Sequence, residues 1–146
     1  MASRVAKICR KAAELDNLRV LHLESSYSVR YLLPENSVNV FYLLFPDPWP
    51  KRRHQRRRVV TAEFMQSIYR ALAPGGLFQM ATDQQDYFEQ IRRLALDDNS
   101  QFFEIDMTGH PDLVGAGLPS TKFERRFQEQ SAPIYRLALR KVSPVT

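Results

Sequence analysis

Val38-Asn39-Val40-Phe41-Tyr42-Leu43-Leu44-Phe45-Pro46-Asp47-Pro48-Trp49-Pro50 is an apolar run that ends abruptly in alternating prolines. From Val38 to Phe45 the residues are mostly β-branched, aromatic or leucine, with Pro34-Glu35-Asn36-Ser37 as a turn-forming boundary in front. Such a run, too short for a buried helix and too uniform for a half-exposed strand, predicts a central β-strand buried on both faces. Each following proline fixes its own φ and biases its predecessor away from helix, so the chain should leave the strand on an extended, stiff path that carries Asp47.

That path leads into Lys51-Arg52-Arg53-His54-Gln55-Arg56-Arg57-Arg58, six cations in eight positions. They account for more than the whole formal charge of +5, so the rest of the 146-residue chain is near neutral. A local basic loop, residues 50–58, suits a grip on one stretch of polyanion, where an evenly cationic surface would bind membranes and nucleic acid without distinction.

On the N-terminal side, Val5, Ile8, Cys9, Ala12 and Leu15 recur at helical spacing up to Asp16-Asn17, and Leu18 to Leu23 is expected as a short strand. On the C-terminal side, Phe64, Met65, Ile68 and Leu72 mark a helix face that stops at Ala73-Pro74-Gly75-Gly76, and Leu77 to Ala81 reads as a strand. Thr82 or Asp83 is placed to cap a helix with Tyr87, Ile91, Leu94 and Ala95 on its inner face. Phe102 to Ile105 predicts a strand and residues 109–120, rich in glycine and proline, a mobile loop. Tyr135, Leu137 and Leu139 alternate with Arg136, Ala138 and Arg140, the period of a strand near a sheet edge. This succession predicts one α/β domain over residues 1–146 built on an open sheet.

Ligands collect beyond the carboxyl ends of strands in such sheets, so Glu24, Asp47 and Asp83, each just past an expected strand, should line one crevice. The plainer readings are a solvated loop charge for Glu24, a turn residue for Asp47 and a helix cap for Asp83. Trp49 reads as packing under the basic loop ahead of stacking on a base. His54 has no Cys or acidic partner at ligand spacing, so no metal is expected. The lone Cys9 excludes an intramolecular disulfide and fits a reducing, cytoplasmic setting, and no apolar stretch is long enough to cross a bilayer.

Phe45-Pro46-Asp47-Pro48-Trp49 with the basic run behind it, Ala81-Thr82-Asp83, and Thr121-Lys122-Phe123-Glu124 occur in the order of three motifs of the bacterial tRNA (guanine-N7)-methyltransferases, whose first segment is close to FPDPWxKxRHxKRR. The chain resembles that family from about Val5 to Lys141. The resemblance implies an S-adenosyl-L-methionine-dependent, Rossmann-like fold and tRNA as substrate. It implies cofactor contacts at Glu24 and Asp47, with Asp47 at the chemistry. It also implies substrate contacts at Lys51, Asp83, Thr121, Lys122, Phe123 and Glu124, and RNA contacts at Arg52, Arg53, His54, Arg56, Arg57 and Arg58. Glu24 departs from the family's usual aspartate; its extra methylene moves the carboxylate by about an ångström or more.

The glycine-rich turn that holds the cofactor's methionine part in this family has no counterpart here. Gly115-Ala116-Gly117 follows no expected strand and opens no helix. By the resemblance Met1 falls after the second strand, so the sheet is expected to lack its first two strands and to leave an edge for a preceding segment or a second copy to cover. Three functional readings follow: part of an active methyltransferase, a cofactor-free tRNA-binding module, or an inactive fragment.

Overall fold

The computed structural model describes residues 3–97, 101–105 and 122–142. The expected loop at 109–120 and Thr121 lie outside the described residues. Helix α1 (Arg4–Ala13), capped by the Ser3 hydroxyl on the Ala6 amide, is followed by an irregular stretch to Glu24. The strand expected over Leu18 to Leu23 does not form, because among the described residues no other strand runs beside it to complete a backbone ladder; Leu18, Leu21 and Leu23 stay exposed. Helix α2 (Ser25–Tyr27) continues into a π-helical turn over Ser28–Leu32. The Arg70 guanidinium closes that turn by donating to the Val29, Arg30 and Leu33 carbonyls at 2.9 to 3.0 Å, supplying the donors a helix end lacks.

Strand β1 (Val38–Leu44) is followed by the proline segment and a 3-10 turn over Arg52–Arg57; then come α3 (Ala62–Ala71), β2 (Leu72–Thr82), α4 (Gln85–Ala95), β3 (Phe102–Glu104), α5 (Lys122–Glu129) and β4 (Tyr135–Lys141). The sheet order is β1-β2-β4-β3, with β1 parallel to β2 and both β2–β4 and β4–β3 antiparallel. The Thr61 hydroxyl caps α3 on the Phe64 amide. At the start of β2 the register jumps between Val38 opposite Leu72 and Val40 opposite Leu77, so the Pro-Gly-Gly segment bulges out. A Cβ on Gly76 would stand 2.8 Å from the Ala73 carbonyl oxygen and 2.9 Å from Leu72, which is why this position carries glycine.

Strand β1, by its sequence a strand suited to cover on both faces, has a single neighbour among the described residues and leaves Asn39, Tyr42 and Leu44 exposed, the open edge expected of a sheet without its first two strands. Strand β4, expected near an edge, is flanked on both sides and buries Leu137, Ala138 and Leu139. The core joins these to Phe78 and Met80 of β2, Phe64 and Ile68 of α3, and Tyr87 and Ile91 of α4. At the far end of β4 the Lys141 ammonium is buried and donates to Asn36 Oδ1 and to the Tyr69 and Leu72 carbonyls, over the face of the Tyr69 ring. A cation there completes the C-terminal end of α3.

Candidate functional site

Parallel pairing carries β1 and β2 to the same sheet edge. Leu44 lies opposite Ala81, and the Phe45 amide extends the ladder by donating to the Ala81 carbonyl at 2.8 Å. Asp47 and Asp83 therefore leave the sheet side by side, as the strand-end argument requires. Phe45 and Trp49, which bracket Pro46-Asp47-Pro48, both sit at positive φ, 50° and 42°. Bulky residues adopt that region at a cost of about 1–3 kcal/mol each, and only where their surroundings hold them there. Phe45 is held by ring contact with Phe127 of α5, 5.3 Å between centroids, which seats the helix opened by Lys122, Phe123 and Glu124 against the end of β1.

Glu24 has no strand behind it. Its carboxylate caps α2, accepting from the Ser26 amide at 2.9 Å, the Tyr27 amide at 2.8 Å and the Ser26 hydroxyl. The Ser26 and then the Tyr27 amide hold its pKa below the ordinary glutamate value. Ser25, next in the chain, lines a cavity of about 220 Å³ together with Leu43, Pro46, Asp47, Trp49, Arg57 and Val59. Neither Thr82 nor Asp83 caps α4 as expected: the N-cap position is Gln84, whose side chain makes no capping bond. The Thr82 hydroxyl accepts from the Gln84 amide in the turn before the helix, and the Gln84 side chain donates to the Asp83 carboxylate at 3.1 Å.

The basic run is more compact than a stiff arm. With three residues per turn, side chains three apart share a face. His54 and Arg57 thus share one face and clasp Trp49, His54 edge-on at 6.0 Å and the Arg57 guanidinium over the ring at 5.0 Å. Trp49 is half-buried under the loop, as its packing reading expects. Lys51, Arg52, Arg53, Arg56 and Arg57 are exposed.

Arg58 departs from the expectation of an RNA-facing cation. It is 4% exposed, with Nε donating to the Pro48 carbonyl at 2.6 Å, one terminal nitrogen to Gln90 Oε1 and the other to Asp86 Oδ2 at 2.6 Å, over the Tyr87 ring at 4.5 Å. The Arg58 hydrogen bond holds the Asp86 carboxyl below its usual range. Burial chiefly raises the Tyr87 phenol, with the Asp47 charge adding to it, while its hydroxyl accepts weakly from the Val60 amide at 3.3 Å. Sequence reading missed Asp86, Tyr87 and Gln90 as partners of the loop; Asp86 and Gln90, four apart on α4, were the available signal.

The described residues hold no group of three or more His, Cys, Asp or Glu that could bind a metal ion, and no helix among them is long and apolar enough to cross a membrane. The cavity at Asp47 is smaller than the roughly 300–1,000 Å³ of sites that enclose drug-sized ligands. It suits a single ring or the end of a larger molecule and does not enclose an entire adenosyl cofactor.

A family model described as "Putative methyltransferase" matches residues 1–137. A tRNA (guanine-N(7)-)-methyltransferase of Nitrosococcus oceani is 37% identical over 131 residues, taking in 90% of this chain and 53% of that protein. One of the same description from Sodalis glossinidius is 38% identical over 130 residues, 88% of this chain and 54% of that one. The chain spans about half the length of the curated relatives it matches. Among solved structures, the cyclase SpnF shares the fold at a TM-score of 0.50 and 11% identity, over 95% of this chain and 62% of that one.

Proposed function

The chain belongs to the methyltransferase family whose model matches residues 1–137, and from that premise we propose that it supplies the guanine- and RNA-binding part of a tRNA (guanine-N7)-methyltransferase. The observation that carries this reading is Asp47 on the rim of a ring-sized cavity, with five exposed cations following within ten residues.

Guanine N7 presents a free lone pair on the major-groove edge, so its methylation needs no general base. The acceptor has to be held in line with the methyl group, and its ring becomes positively charged as the bond forms. Asp47 and Asp83, leaving adjacent strands at one sheet edge, accept hydrogen bonds from the N–H edge of the base and stabilise that positive charge. Lys51, Arg52, Arg53, Arg56 and Arg57 contact phosphates, which fixes the RNA without reading its sequence. Lys122, Phe123 and Glu124, in the first turn of the helix whose Phe127 packs on Phe45, are the further substrate contacts of this reading. The methyl donor is S-adenosyl-L-methionine, which supplies an electrophilic methyl group. The cavity at Asp47 does not enclose it whole.

Incubation of the full chain with tRNA and methyl-labelled S-adenosyl-L-methionine, followed by chemical cleavage at 7-methylguanosine, tests the reading. Label at a guanine N7 that Asp47→Asn abolishes while leaving tRNA affinity intact is the expected result. Tight tRNA binding with no label at millimolar donor would overturn methyl transfer by this chain and favour a tRNA-binding module, in keeping with the small cavity. Absence of both would overturn the reading altogether.

A further inference from the structure

The segment that carries Asp47 is held from beneath by a residue of the basic run itself. Pro46 and Pro48 lack amide donors, so this segment can contribute little to its own backbone bonding. It nevertheless keeps two bulky residues at positive φ. Arg58 supplies the missing attachment. Its guanidinium bonds the Pro48 carbonyl on one side and Gln90 and Asp86 of α4 on the other, a fork geometry that a lysine ammonium does not reproduce. Helix α4 begins just after Asp83, so one side chain couples the two carboxylate-bearing segments.

We infer that Arg58 is a positioning residue that locks the Asp47 turn and the Trp49 clasp onto α4, and that Asp86 serves RNA binding through Arg58 although it carries the same charge sign as RNA. The consequence for RNA rests on the proposed function; the lock itself does not. At 4% exposure, with a hydrogen bond on each of its three guanidinium nitrogens, Arg58 is turned into the protein and away from any phosphate in solvent. Its charge is also paired with Asp86, so it adds little to the field of the exposed cations.

The two possible roles predict opposite signs. A phosphate-binding Arg58 would keep its affinity in Arg58→Lys, and Asp86→Ala would tighten RNA by removing a negative charge. A positioning Arg58 makes both substitutions weaken RNA, by roughly tenfold, the equivalent of one charge-assisted hydrogen bond. Trp49 is the sole tryptophan, so its fluorescence reports on the turn directly. In the full chain, well below its melting temperature, acrylamide should quench Trp49 more strongly in Arg58→Lys and in Asp86→Ala than in the unsubstituted protein. A merely structural role would lower the melting temperature and leave both quenching and affinity unchanged while the protein is folded. Unchanged quenching in both variants, or tighter RNA binding by Asp86→Ala, overturns the inference. If the unsubstituted chain binds no tRNA, the proposed function falls and the quenching comparison alone decides this one.

Discussion

Substitution of Arg52 and Arg56 together by alanine removes two of the five exposed cations of the basic turn and leaves the Trp49 clasp and the Arg58 lock in place. Neither residue bears on the core, so the fold should be unaffected and the loss should be purely electrostatic. Each phosphate contact contributes about 0.7 to 0.9 to the slope of log affinity against log salt, through release of condensed counterions. Without these two arginines the slope should flatten by about 1.4 to 1.8, so a fourfold rise in salt should cost the variant about 7- to 12-fold less affinity than it costs the unsubstituted protein. Anisotropy of fluorescently labelled tRNA, titrated from about 50 to 200 mM salt, the range over which such slopes are expressed, reads this directly. Equal slopes for the two proteins would refute the assignment of the turn to phosphate binding. A uniform loss of affinity with no change in slope would show that the arginines act through something other than charge.

Lys141→Met should destabilise the protein by about 2–4 kcal/mol, since Asn36 Oδ1 and the Tyr69 and Leu72 carbonyls lose their shared donor in a buried site. Calorimetry should show a fall in melting temperature of roughly 5–15 °C for a chain of this size, and a change under about 1 °C would mean that the ammonium does not cap α3. The Glu24 cap carries a defined pH sign. Its folded pKa lies below the unfolded value of about 4.3, so the stability it gives is present above that value and is lost as pH falls through the lower, folded one. Amide chemical shifts of Ser26 and Tyr27 should move over that acid window and stay flat in Glu24→Gln; coincident titrations in the two proteins would contradict the cap.

The elements of the fold were legible where hydrophobic period alone decides them. The helices at Ala62–Ala71 and Gln85–Ala95 and the strands ending at Leu44, Thr82 and Lys141 follow the apolar pattern. Order within the sheet was less so, because a run such as Val38 to Leu44 records the cover a strand is suited to and leaves open whether that cover is present. Leu18 to Leu23 shows the same limit: apolar alternation makes a strand only when a neighbour completes the ladder. At the site, parallel strands bring the segments that carry Asp47 and Asp83 to one sheet edge, which was legible, but of Glu24, Asp47 and Asp83, expected to line one crevice, only Asp47 lines the cavity there. The Glu24 cap was not legible, since its plain reading as a loop charge and its reading as a ligand both overlooked the Ser26 and Tyr27 amides.

The cations show most clearly what composition conceals. Arg58, Arg70 and Lys141 all donate to backbone carbonyls from protected positions, whereas Lys51, Arg52, Arg53, Arg56 and Arg57 face solvent. Within the run at 51–58 a count of charges treats all six alike. What separates Arg58 is its position at the junction with Val59-Val60, where Val60 is 1% exposed and anchors the chain before α3. A cation adjoining a residue that must be buried is drawn inward with it, and it stays charged there only if acceptors and a carboxylate wait in place. Asp86 and Gln90 meet that requirement, so the last arginine of the run is bound inward while Lys51, Arg52, Arg53 and Arg56 stay at the surface and Arg57 lies over Trp49.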